Sequence, residues 1–132
     1  MIRFIHIRQF DEETAAISAS GGMTIAYTST PKDLIYTTAL CHTNDPFNYA
    51  LGRRIATSRL KSPKIKPEVV PLVHPVKQNL LEHIQKNLFS QPIQIFLDDK
   101  YRWVSTFETL EEPVNFESEI DEFMALSQQH LG

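Results

Sequence analysis

A single cysteine, Cys41, in 132 residues leaves an internal disulfide without a partner. The chain must therefore hold its fold by packing alone, and a reducing, intracellular setting is the expectation. Long apolar runs are absent too. No stretch approaches the roughly 18 apolar residues of a membrane span, and residues 1–13 are too polar and too regularly alternating for a signal peptide. A cytoplasmic protein with no membrane partner follows as the expectation. Glycine is scarce, four in all, and the Gly21-Gly22 pair matches no phosphate-loop spacing and enters a strand pattern rather than a helix.

Catalytic and metal apparatus is equally thin. Ser18, Ser20 and Thr24 have no linked His-Asp context. Cys41 and His42, as neighbours on a strand, point to opposite faces. One cysteine with the scattered His6, His42, His74, His83 and His130 gives no paired zinc spacing. The acids Glu117, Glu119, Asp121 and Glu122 read as a solvated helix face, and Asp98-Asp99 as hairpin loop residues. The expectation is a protein that is not an enzyme and has no cofactor and no metal.

What is present is an ordinary globular composition, 42% hydrophobic and 22% charged, which suffices for one compact domain over residues 1–132 with its own core. The net charge of -3 conceals a strong segregation. Residues 1–45 carry three bases and five acids, residues 46–97 eight and two, and residues 98–132 two and nine. The middle is thus +6 and the carboxyl end -7, arranged to attract one another within a subunit, between subunits, or to act on separate partners.

Periodicity predicts strands at 2–8, 23–30, 34–42, 93–97 and 101–107, with turns at Pro31-Lys32-Asp33 and Asp98-Asp99-Lys100 closing two antiparallel hairpins. Both faces of the first strand are apolar near its middle. Residues 12–18 have the pattern of a short helical turn. A helix opens at Asn44 or Asp45 as N-cap, with Pro46 in the first helical position and Phe47, Leu51 and Ile55 on its apolar side. It ends before Pro63, and residues 61–75, with four prolines, form an ordered, extended connection. A second helix spans 75–89, with Val76, Leu80, Leu81, Ile84 and Leu88 inward. A third, capped by Asn115, spans 116–130, with Ile120, Phe123, Met124 and Leu131 recurring at helical spacing. The class is α+β: antiparallel β-hairpins with two to three packed amphipathic helices.

The stretch 44–66 stands out because it holds Arg53, Arg54, Arg59, Lys61, Lys64 and Lys66 and, beyond Asp45, no acid. With Tyr49 as a neighbouring aromatic, these six cations are the candidate binding residues. No helix-turn-helix, zinc-finger or RNP pattern accompanies them.

The pattern GGxTxAY at 21–27, followed by D-x-F at 45–47 and G-R-x-I-A-x-x-R-L at 52–60, resembles small bacteriophage and prophage accessory proteins. It covers less than a third of the chain, and no individual residue inherits a role from it. The resemblance implies a regulator or inhibitor that acts in the host cytoplasm by binding alone. The first expectation is therefore a phage-type accessory protein that binds a host or phage protein through the basic helix and its extension. DNA or RNA bound through the same face is the second reading, and a small hydrolase with a cryptic site the third. An exposed edge strand or the apolar side of the last helix also offers a contact for a homodimer.

Overall fold

The computed structural model describes residues 1–107. Seven strands, β1 (Arg3–Asp11), β2 (Ala16–Ile17), β3 (Met23–Ser29), β4 (Asp33–Leu40), β5 (Glu68–Pro71), β6 (Phe96–Leu97) and β7 (Trp103–Ser105), accompany two helices, α1 (Tyr49–Lys61) and α2 (Val76–Asn87). The sheet order is β5-β4-β3-β1-β7-β6, with β2 folding back on β1. All pairings are antiparallel except β1 with β7. The chain is thus an α+β protein with a mostly antiparallel sheet and two helices packed against it. The expected third helix lies outside the described residues.

Both faces of the sheet are covered, as the apolar alternation of β1 requires. Ile5, Ile7, Met23, Ile25, Leu34 and Tyr36 point to one side, where Leu80, Leu81 and Ile84 of α2 complete the main core. Ala26 and Ala39 point to the other, where Ala56 of α1 meets them and Ile55, Leu60 and Phe4 close the margins. The second interface is built from small residues, so α1 sits close to the strands. A Cβ on Gly52 would lie 2.3 Å from Thr24 Oγ1, and the Thr37 hydroxyl donates to the Ala56 carbonyl at 2.7 Å.

Several local expectations are corrected. The helix that was to start at Asn44 or Asp45 starts at Tyr49, and the Asn48 side chain accepts the Leu51 N–H at 3.0 Å. The preceding residues form a turn at 43–45, closed by the Asp45 N–H on the His42 carbonyl, and a bridge to the 19–21 segment instead: Gly21 N–H donates to the Asp45 carbonyl, and Phe47 N–H to that of Ala19, each at 3.0 Å. These cross-chain bonds take over the groups a helical turn would use. Leu51, expected on the apolar side, is 44% exposed, because Gly52, Ala56 and Arg59 form the inward line. Residues 12–18 make a turn and the short β2 rather than a helical turn, with Phe10 opposite Ile17. The fourth and fifth strands shrink to two and three residues. The turn between them is as expected: the Asp98 carboxylate accepts the Lys100 and Arg102 amides and pairs with the Arg102 guanidinium at 2.7 Å. Within 61–75, residues 68–71 form β5 on the edge of the sheet.

Candidate functional site

The connection from β4 to α1 and the helix itself carry most of the chemistry. Asn48 fixes the first turn, Gly52 allows the close approach to Thr24, and the register of α1 then decides which cations face water. Arg53, Arg54 and Lys61 do, and Lys64 and Lys66 are exposed just beyond the helix. Arg53, Arg54, Lys61 and Lys66 make no ion pair with another described residue. Arg53 and Arg54 border a shallow hollow of about 550 Å³ floored by Phe4, Ala50 and Thr57.

Arg59 departs from the expectation. It is 8% exposed, and its Nη1 donates to the Thr38 carbonyl at 2.6 Å. The pairing of β4 with β5 reaches only from Asp33 to Tyr36, so at Thr38 the guanidinium takes a backbone group beyond the end of the neighbouring strand. Its helical position, one turn after the buried Ala56, turns it inward, and it belongs to the scaffold. Tyr49 is also less free than a stacking platform requires. Arg8 Nη1 donates to its hydroxyl at 2.9 Å, and its ring meets Phe47 and His6 edge-on at centroid distances of 4.9 and 4.7 Å.

A cleft of about 610 Å³ lies on the other flank of α1, beneath the 41–48 connection. Leu40, Phe47, Leu51 and Ile55 give it apolar walls, His42 and Asp45 stand at the connection, and Arg59 lines it from the helix. The Cys41 thiol donates to the Asp45 carbonyl at 3.3 Å, and burial pushes its pKa up, so it is kept as a thiol rather than a nucleophilic thiolate. The His42 Nδ1 accepts the Asn44 N–H at 3.1 Å, which places its ring proton on Nε2 in the neutral form. The chemistry available here is recognition by apolar walls and a few polar groups. Among the described residues no group of three His, Cys, Asp or Glu side chains converges on a metal position.

Sequence reading gave no role to His6 and Arg8, two apart on β1 and therefore on one face. Arg8 lies 4.6 Å above the Phe47 ring and donates to the Ser18 carbonyl at 3.0 Å. This fastens the 41–48 connection to the sheet by a cation–π contact. His6 Nδ1 stands 2.9 Å from Thr24 Oγ1. Burial first, then the charges of Arg53 and Arg8, lower the His6 pKa to about 4. The signal available in the sequence was the spacing of His6 and Arg8 alone, and nothing local tied them to Phe47 or Tyr49.

A stability prediction follows from His6. Its pKa is depressed in the fold relative to about 6.5 in the unfolded chain. The unfolded state takes the proton first, so stability is full above pH 6.5, falls as the pH drops from 6.5 to about 4, and levels off below that. The full shift corresponds to about 3 kcal/mol, which partial exposure reduces to about 1–2 kcal/mol. Urea midpoints at pH 7 and pH 4.5 for the native chain and for His6→Asn should show this slope in the first and its reduction in the second. Equal slopes would place the pH dependence elsewhere.

No helix among the described residues is long and apolar enough to cross a membrane. Comparison with family models, curated proteins and solved structures gave no significant match.

Proposed function

We propose that this chain is a non-enzymatic accessory or regulatory protein of phage type, and that the α1 surface binds an acidic, amphipathic element of a host or phage protein. The observation that carries the reading is the mixed character of that surface. Exposed Arg53 and Arg54 line one recess with a largely apolar lining, shared with Phe4 and Ala50; Leu40, Leu51 and Ile55 line a second, and the exposed Lys61 and Lys66 stand at and beyond the end of the helix. A phosphate backbone satisfies cations and gains little from apolar floors. A protein element with carboxylates around an apolar centre satisfies both. Arg8, 5.5 Å over the Tyr49 ring, supports the same preference, since base stacking needs an open ring face.

The test joins capture from host cells to surface variants. Cross-linked partner peptides should map to Lys61, Lys64 and Lys66, and Arg53→Glu with Arg54→Glu should weaken the captured complex about tenfold or more. Leu51→Ser should weaken it as well while leaving the fold intact, because Leu51 is already 44% exposed. A gel-shift series with DNA and RNA at graded salt supplies the opposing outcome. Steeply salt-dependent binding that is indifferent to Leu51→Ser would assign the face to nucleic acid.

A further inference from the structure

Arg53 and Arg54 are neighbours in sequence, and both line the same hollow of about 550 Å³. Resting on the proposal that α1 docks an acidic, amphipathic protein element, we infer that this hollow is the anchoring subsite and that its occupant is a phosphorylated aromatic side chain, a phosphotyrosine of the partner. Ala50, Arg53, Arg54, Thr57 and Ser58 follow the i, i+3, i+4, i+7, i+8 spacing of a single helix face, and all five line the hollow together with Phe4 of β1. The space exists because the sheet has a margin there. β3 pairs with β1 from Arg3 to Ile7, whereas β7 joins it only at Arg8 and Gln9, so on that side of Phe4 no described strand continues the sheet.

The lining selects the ligand. Its polar side chains are two guanidinium groups and two hydroxyls, all able to donate to an anion, and no acid stands among them; α1 itself contains none. The charge of Arg53 reaches as far as His6, whose pKa burial first and then Arg53 hold down to about 4. A carboxylate brings one negative charge and two oxygens. A phosphomonoester brings about -1.5 to -2 at pH 7 and three acceptor oxygens, enough to meet the planar forks of both arginines at once and to leave an oxygen for Thr57 or Ser58. Phe4 and Ala50 then decide what the phosphate hangs from. Their apolar surface is matched by an aromatic ring, to which Phe4 offers an offset or edge contact, and is left bare by the lone methylene of a phosphoserine. A phosphodiester of DNA or RNA carries a single charge and sets sugars, not a ring, against that floor.

The experiment uses the full chain with phenyl phosphate as probe, followed by the amide and guanidinium NMR shifts of residues 50–58. Phenyl phosphate is expected to shift Arg53, Arg54 and Thr57 saturably and to bind about tenfold more tightly than either inorganic phosphate or phenylacetate. Arg53→Gln with Arg54→Gln, both exposed in the native chain, should weaken it more than about tenfold, with circular dichroism checking the fold. Phe4→Leu keeps an apolar side chain at a half-buried position and should bring phenyl phosphate down to the affinity of inorganic phosphate. If Phe4→Leu does not fold, Ala50→Glu, at an exposed helical position, sets a carboxylate in the hollow and should remove binding. The absence of saturable shifts would overturn the inference, as would equal binding of inorganic phosphate, of phenylacetate or of a thymidine dinucleotide, the last by assigning the hollow to nucleic acid. In capture from host cells, treating the lysate with a tyrosine phosphatase should remove the same complex that Arg53→Glu with Arg54→Glu weakens. A complex weakened by charge reversal but indifferent to the phosphatase overturns the phosphotyrosine and leaves α1 as the protein-binding surface. Phenyl phosphate bound in the hollow, with no captured complex sensitive to charge reversal, supports the subsite and removes the partner reading of α1.

Discussion

Gly52→Val is expected to destabilise the protein by about 3 kcal/mol, the upper range for overpacking a close helix–sheet contact. The site leaves no room for even one added carbon, since a Cβ would stand 2.3 Å from Thr24 Oγ1 and 3.0 Å from Thr24 Cβ. Thr24 is fully buried on the central β3 and is a β-branched residue with little rotamer freedom. Either α1 lifts from the sheet, opening the Ala26–Ala39–Ala56 contact, or Thr24 swings away from His6. Gly52→Ala meets the same obstacle but regains about 1 kcal/mol of helix propensity, for a net loss of about 1 kcal/mol. Combining it with Thr24→Ala removes the nearest clashing atom, so a double-mutant cycle from urea midpoints should show a favourable coupling of about 1–2 kcal/mol. A more stable Gly52→Ala chain with no coupling to Thr24 would mean that α1 stands further from β3 than the packing implies.

The legible parts of this fold are those whose signals are local. β3 and β4 are joined by a three-residue turn and alternate cleanly, so the hairpin and the burial of Ile25 and Tyr36 could be read off directly. The inward stripe of α2, Leu80, Leu81 and Ile84, follows from a 3.6-residue period. The parallel pairing of Arg8 with Val104 spans almost the whole described chain and rests on a three-residue strand, too short for any periodicity. The start of α1 was misplaced for a related reason. Asn44, Asp45 and Pro46 have the chemistry of a helix start, but bonds from Gly21 and Phe47 tie this segment to the residues before β3, and those partners are more than twenty positions away. Asn48 is an equally good cap, and tertiary contacts decided between them.

The candidate site divides along the same line. That Arg53, Arg54, Lys61, Lys64 and Lys66 are exposed could be read from helical phase and proline content. The cleft could not, because Leu40, Phe47 and Ile55 come together only after the 41–48 connection has been fastened by Arg8. The motif G-R-x-I-A-x-x-R-L now has a physical content in three of its positions. Gly52 permits close packing, Ala56 fills the contact, and Arg59 holds a strand carbonyl. Of its two fixed arginines, Arg53 faces solvent and Arg59 does not.

Arg59→Ala should therefore cost about 3 kcal/mol, while Arg53→Ala should change stability by no more than about 0.5 kcal/mol. The loss at Arg59 combines a charge-assisted hydrogen bond of about 1.5–3 kcal/mol with the packing of its aliphatic stem between α1 and β4. Arg59→Met keeps most of that packing and removes the buried charge together with its bond, so its cost should be smaller, about 1 kcal/mol. Arg59→Lys keeps the charge but replaces a planar fork by a single flexible head and should lie between the two. Urea titrations of the four variants measure the order. Binding assays scaled to the folded fraction then separate the two roles. A scaffold arginine loses partner affinity only as far as the fold is lost, so Arg59→Met should bind nearly as well as the native chain, and Arg53→Glu should bind poorly while fully folded. The opposite pattern, a stable Arg59→Met chain that has lost its partner, would return Arg59 to the contact surface and locate the partner's acidic group at the floor of the cleft rather than along the outer turn of α1.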